Sequence, residues 1–172
     1  METVHFIKTE EISEKVEALF TSEKHKLSSL FPDADIEHIG ATSVPGSVTK
    51  GDLDINVRVD PNDFQWAREI LAGLYQINQP DNWTSGFASF KDKCRDLGVQ
   101  LTALGSVDDF FVAQREYLKN HPEKVTDLNG LKLKFEGKSM DEYREEKGIF
   151  FEKLKAVQCT AVRLTANQPP MK

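Results

Sequence analysis

The run from Leu53 to Val59, LDINVRV, alternates strictly between apolar and polar residues, and that period of two makes sense only for an extended strand. Leu53, Ile55, Val57 and Val59 then fall on one face, and Asp52, Asp54, Asn56 and Arg58 on the other. Such a strand needs a hydrophobic layer beneath one face and a use for two aspartates on the other, because aspartate is disfavoured in strands. Residues i and i+2 are roughly 6.6 Å apart along a strand, so both carboxylates can lean onto one or two divalent ions. Just upstream, Ile36 to Ile39 reads as a short strand end. Gly40-Ala41-Thr42-Ser43 follows as a turn whose backbone N–H groups and hydroxyls suit phosphate oxygens. The small-residue loop through Pro45 and Gly46 is short enough to fold that turn back beside the acids.

The spacing elsewhere predicts helices around this pair of strands. From Glu10 to Phe31, Ile12, Val16, Leu19, Phe20, Leu27, Leu30 and Phe31 recur at three and four, an amphipathic helix with Thr9 as cap and Pro32 closing it. Phe64, Ala67, Ile70, Leu71 and Leu74 space out a second helix, capped by Asn62 or Asp63. Its apolar stripe is expected on the Leu53/Ile55/Val57 face, leaving the carboxylate face open. Tyr75 to Asn78 reads as a short strand, and Gly86 to Lys91 with Val99 to Leu104 as a hairpin-like pair. Ser106 to Asp109 has the spacing of a capping box ahead of Phe110, Phe111, Tyr117 and Leu118. His121-Pro122 starts another helix that Gly137 ends, and Ser139-Met140-Asp141-Glu142 opens a long last one. The order suits an α+β fold, a small mixed sheet flanked by an N-terminal helix and a helical C-terminal half. The expected organisation is one domain over residues 1–166 and a tail over 167–172.

Composition narrows the partners. A net charge of −6 over 172 residues argues against a general basic footprint for duplex nucleic acid. Cys94 and Cys159 stand far apart with no zinc-knuckle spacing, so free thiols in a reducing cytoplasm are the expectation. No stretch approaches the roughly 18 apolar residues that cross a membrane, and METVHFIKTEE has no leader pattern. The expected location is cytoplasmic.

A phosphate-holding turn beside paired acids is what phosphoryl or nucleotidyl transfer needs. Mg2+ (or Mn2+) fits better than zinc, because the candidate ligands Asp52 and Asp54 are hard oxygens without clustered His or Cys. Lys50 could reach a phosphate or simply decorate its loop. Arg115 and Lys119 share a helix face and could meet phosphate oxygens, although arginine on an amphipathic helix usually serves a surface ion pair. His38, immediately before the turn, is a further candidate whose plain reading is a packed or hydrogen-bonded histidine.

The run His38-Ile39-Gly40-Ala41-Thr42-Ser43-Val44-Pro45-Gly46, followed by Lys50-Gly51-Asp52-Leu53-Asp54-Ile55, resembles the GrpB family, a branch of the DNA polymerase beta type nucleotidyltransferase superfamily. Arg115-Glu116-Tyr117-Leu118-Lys119-Asn120-His121-Pro122 resembles a second segment of that family, and Tyr143 with Lys147 its closing helix. The resemblance covers residues from about 10 to 158. It implies a nucleotidyltransferase fold, with the Gly40 to Ser43 turn and the basic residues, Lys147 now included, on a triphosphate, and with Asp52 and Asp54 on Mg2+. Many relatives keep only the acid matching Asp54, so this chain lies closer to the parent pattern. Conversely, Gln100 and Thr102 stand where active superfamily members place a third acid. Asp92 and Asp96 are near in sequence, but each reads better as a hairpin-turn residue. The expected function is Mg2+-dependent transfer of an NMP group from an NTP substrate to an unidentified acceptor. The alternatives are a non-catalytic nucleotide- or phosphate-binding module and a metal-dependent phosphohydrolase.

Overall fold

A computed structural model describes residues 2–166, with side chains to residue 156, so the expected tail at 167–172 and the side chains of Val157 and Cys159 lie outside the described residues. In chain order the elements are β1 (Ile7–Lys8), α1 (Ser13–Leu30), β2 (Asp35–Ile39), β3 (Val48–Thr49), β4 (Leu53–Val59), α2 (Phe64–Leu74), β5 (Gln76–Asn78), β6 (Phe87–Lys91), β7 (Leu97–Ala103), α3 (Phe111–Asn120), α4 (Pro122–Lys134) and α5 (Met140–Ala166). The class is α+β, as expected. The chain divides into two compact units, residues 6–125 and a second that joins residues 2–5 to the described residues from Thr126 onward.

The first unit is built on a five-stranded sheet ordered β2-β4-β7-β6-β5. β4 runs parallel to β7, and the other neighbouring pairs are antiparallel. The apolar alternation on β4 and β7 puts Ile55, Val57, Val99 and Leu101 at the centre of the core, all at 0% exposure. Val16, Leu27 and Phe31 of the α1 region and Phe64, Ala67 and Leu71 of α2 pack against them. Burying side chains of this size stabilises the fold by about 1.5–3 kcal/mol each, and this layer fixes which way β4 faces.

Register then sets out the opposite face in rows. Asp54 lies between Ile39 of β2 and Gly98 of β7, Asn56 between Glu37 and Gln100, and Arg58 between Asp35 and Thr102. The expectation of an open carboxylate face needs correcting at its centre, where Asn56 and Thr102 are both at 0% exposure.

Several expected caps are not made, because their side chains have other partners. Thr9 donates its hydroxyl to the Ser47 carbonyl at 2.7 Å. Asp63 stands at the α2 N-cap without a side-chain bond to the helix, while Asn62 is held by Asp60 in a tight turn. Asp109 is taken by Arg58, so the Ser106 capping box does not form and α3 starts later, at Phe111. Pro32 follows the end of α1, and Pro122 begins α4, as expected.

Glu23 is a surprise. The α1 pattern suggests a solvent-facing glutamate, yet it is 3% exposed, accepting from the Tyr75 hydroxyl and from Arg95 Nη1 at 2.6 Å each.

In the second unit, Val4 is fully buried and paired through its backbone with residues 137 and 138. Leu128, Met140, Tyr143 and Leu154 are its buried apolar groups from α4 and α5. The capping box expected at Ser139 is present, with the Glu142 N–H donating to Ser139 Oγ at 3.4 Å.

Candidate functional site

Asp54 is the second residue of β4, and two glycines make room for its carboxylate. A Cβ on Gly40 would come within 2.5 Å of Asp54 Oδ2, and one on Gly98 within 2.8 Å of Oδ1. Real side chains do not approach so closely, so only glycine fits at either place. Gly40 also has φ of 76°, the left-handed region, which lets β2 bend directly into the 3-10 turn Ala41–Ser43. Gln100 closes the third side, its Nε2 donating to Asp54 Oδ1 at 3.3 Å.

Asp52 lies just before β4 rather than within it, with its side chain about one-third exposed. Its Oδ2 is 3.2 Å from Lys50 Nζ. Lys50 therefore faces an acid of the site instead of only decorating its loop.

The turn is pinned to this segment by Thr42, which donates its hydroxyl to the Asp52 carbonyl at 3.3 Å. His38 Nε2 lies 2.9 Å from the same hydroxyl oxygen. Since Thr42 has spent its single proton, His38 must donate, which assigns the Nε2–H tautomer. Burial lowers the His38 pKa to about 4, helped by the charges of Arg115 and Lys119, so the ring is neutral at pH 7. Ser43 Oγ donates back to the Gly40 carbonyl at 2.6 Å, tightening the turn from within.

Arg115 is placed at the edge of the sheet. Its Nη1 donates to Glu37 Oε2 at 2.6 Å and to the His38 carbonyl at 2.8 Å, and its Nε to Glu116 Oε1 at 2.7 Å. Most of its fork is thus engaged in tying α3 to β2. Lys119 Nζ is 3.5 Å from Glu116 Oε1. Lys147 belongs to the second unit, where its ammonium lies 5.9 Å from the ring centres of Tyr143 and Phe151. His38, Gly40, Thr42, Asp52, Asp54 and Lys50 are therefore brought together, while Arg115 reaches them through the His38 backbone.

Among the described residues no three His, Cys, Asp or Glu side chains are grouped to enclose a metal. The donor set of Asp52 and Asp54 nonetheless suits magnesium, which keeps much of its shell as water and phosphate and needs only one or two protein carboxylates. Both Asp54 oxygens lie against glycine backbone, where a Cβ would not fit. Gly98 and Gln100 complete the site without having been singled out by alternation. Strand β7 begins at Leu97 rather than at the expected Val99, and a glycine inside a strand is a signal that could have found the first, since it often marks a close approach.

A family model described as GrpB protein matches residues 7–156, most of the chain. The chain belongs to the GrpB family. A protein of Vibrio cholerae described as a UPF0157 protein is 34% identical over 155 residues, covering 89% of this chain and 82% of that one. The crystal structure of conserved protein GrpB from Enterococcus faecalis shares the fold with a TM-score of 0.66, at 23% identity, over 83% of this chain and 94% of that one.

Proposed function

We propose that this protein is a magnesium-dependent nucleotidyltransferase, moving an NMP group from an NTP to a small acceptor, and that it belongs to the polymerase beta type superfamily. The observation that carries this reading is the Asp54 carboxylate, walled by Gly40 and Gly98 and lying beside the 3-10 turn Ala41–Ser43. Asp52 and Asp54 would hold the ion. When bound, Mg2+ supplies charge neutralisation on the triphosphate and alignment of the reacting phosphorus. Thr42 fixes the turn against Asp52, so phosphates held by the turn keep a set distance from the acids. Lys50, already paired with Asp52, is placed to transfer its charge to a phosphate oxygen. Positioning and charge stabilisation contribute most of the rate in such reactions. No helix among the described residues is long and apolar enough to cross a membrane, which agrees with the cytoplasmic location we propose.

A second reading, a nucleotide-binding module without turnover, draws on β7, where Gln100 gives Asp54 an amide partner instead of a further carboxylate. Calorimetric titration of NTP with and without Mg2+, on wild type and Asp54→Ala, separates the readings when pyrophosphate release is followed across a panel of acceptors. Metal-dependent binding with pyrophosphate release is the expected result. Binding alone would favour the module, and release of phosphate without acceptor a hydrolase. Absence of metal-dependent binding would sink the metal assignment together with the transferase.

A further inference from the structure

Two amide oxygens beside the Asp54 cradle have no donor. Asn56 is fully buried, and its Nδ2 donates to the Gln100 carbonyl and to Thr102 Oγ1 at 3.0 Å each. Reversing that amide would set its oxygen against the Gln100 carbonyl oxygen, so the orientation is fixed and Oδ1 is left without a partner. Gln100 Nε2 is committed to Asp54 Oδ1, which leaves Gln100 Oε1 in the same condition. Asn56 and Gln100 are register partners on parallel strands, about 4.8 Å apart, and share a face with Asp54. Two undonated acceptors therefore belong to residues of one register row, next to the row of a carboxylate.

Leaving a buried carbonyl oxygen without a donor costs about 1–3 kcal/mol, and apolar residues at these positions would avoid that cost. The chemistry of the pair limits what relieves it. An anion is repelled by two carbonyl oxygens. A single hydroxyl has one proton and satisfies one of them, and a water molecule, with two, is the competing occupant that the test below decides. A primary amino group brings two protons, or three as an ammonium, and the Asp54 carboxylate favours the charged form. We propose that Asn56 and Gln100 form a binding site for a primary ammonium group, and hence that the acceptor substrate carries an amine. The role as acceptor site rests on the transferase reading, whereas the binding does not. Protonated, the nitrogen has no lone pair, so it anchors the substrate and another group of the same molecule reacts. Because both oxygens are shut off from solvent, the surroundings part to admit the amine and close over it.

Ethanolamine is the probe, with choline as a cation that has no N–H and ethylene glycol as a neutral diol. The readout is the side-chain NH2 resonances of Asn56 and Gln100 in isotope-labelled protein at pH 7, titrated with each compound. Ethanolamine is expected to shift both resonances saturably, with choline and ethylene glycol at least tenfold weaker. Gln100→Met is expected to weaken ethanolamine binding at least tenfold while the backbone spectrum keeps its dispersion, and Asn56→Leu to do the same if it folds. Choline binding as well as ethanolamine, a Gln100→Met variant that binds normally, or no shift at all would overturn the proposal. So would a crystal structure at saturating ethanolamine with only a water molecule between the two oxygens. Mg2+–NTP titration of wild type without ethanolamine keeps the two ideas apart: its failure, where ethanolamine still binds, would remove the transferase reading alone.

Discussion

The two ends of β4 carry charge on the same face of the same strand and use it differently. At one end Arg58 is clamped by Asp109, through Nε at 2.7 Å and Nη2 at 2.9 Å, with Asp35 on its Nη1. Charge there meets opposite charge, and the Asp109 side chain is only 7% exposed. At the other end Asp54 meets two glycine Cα atoms and a neutral amide. A clamp of the first kind locks loop to strand, with all three guanidinium nitrogens engaged. An acid set against glycine backbone on both oxygens tolerates no larger neighbour at those positions. Alternation places Asp54 and Arg58 equivalently; their neighbours in register differ, glycine at one end and opposite charge at the other.

The strongest way to break this comparison is to exchange the two losses. Asp54→Ala is expected to lower Mg2+–NTP affinity by on the order of 100-fold, while shifting folding stability by less than about 1 kcal/mol. Arg58→Met is expected to do the reverse, costing about 3 kcal/mol by stranding Asp109, with nucleotide affinity per folded molecule unchanged. Denaturant titration and calorimetry on both variants read this directly, and a stability loss from Asp54→Ala as large as that from Arg58→Met would erase the distinction. Glycines sharpen it next. Gly98→Ala drives a methyl into Asp54 Oδ1 and is expected to weaken binding about tenfold, roughly 1.4 kcal/mol. Gly105→Ala, at the Arg58 end with φ of 74° and nothing within 4 Å of the added atom, is expected to cost only about 1 kcal/mol of stability and no affinity.

Acid titration tests the clamp alone. Its hydrogen bonds from Arg58 hold the Asp109 carboxyl below the ordinary 3.8. A depressed folded-state pKa contributes stability above the ordinary value and loses it as pH falls through the folded one. The stability gap between wild type and Arg58→Met should therefore be full near neutral pH and narrow steadily in the acid range below 3.8. A gap that stays constant to the end of the acid range would exclude the ion pair as its cause. His38 tests the opposite end of the strand. Burial first, then the positive charges of Arg115 and Lys119, brings its pKa from 6.5 to about 4. The unfolded chain then binds more protons between those values, and stability should rise with pH across that window. His38→Gln should flatten the slope, as followed by melting temperature against pH.

Much of this architecture was legible because alternation and the i, i+3, i+4 spacing report burial directly. LDINVRV announced its core face, and Pro32 and Pro122 marked helix boundaries that hold. The caps at Thr9, Asn62, Asp63 and Ser106 were not legible, because a short polar side chain near a helix start chooses between its own helix and a distant partner. Ser47 for Thr9 and Arg58 for Asp109 are such partners, brought close only by the fold. Glu23 escaped for the same reason: its burial depends on Tyr75 and Arg95, from other parts of the chain. In the site, Asp52, Asp54 and the turn were visible as residue types in sequence, while Asn56 and Gln100 acquire meaning only when β4 lies beside β7.

Residues 2–5 pair with the region around Ser139, whereas the intervening residues 6–125 make a unit of their own. During synthesis, this leading segment leaves the ribosome before anything it can bond to exists. The sheet can close while Val4 waits, exposed, for Gly137 and Lys138 to be made. The second unit is consequently completed last, and a ribosome stalled before Gly137 would hold a chain whose residues 2–5 still lack the backbone they pair with.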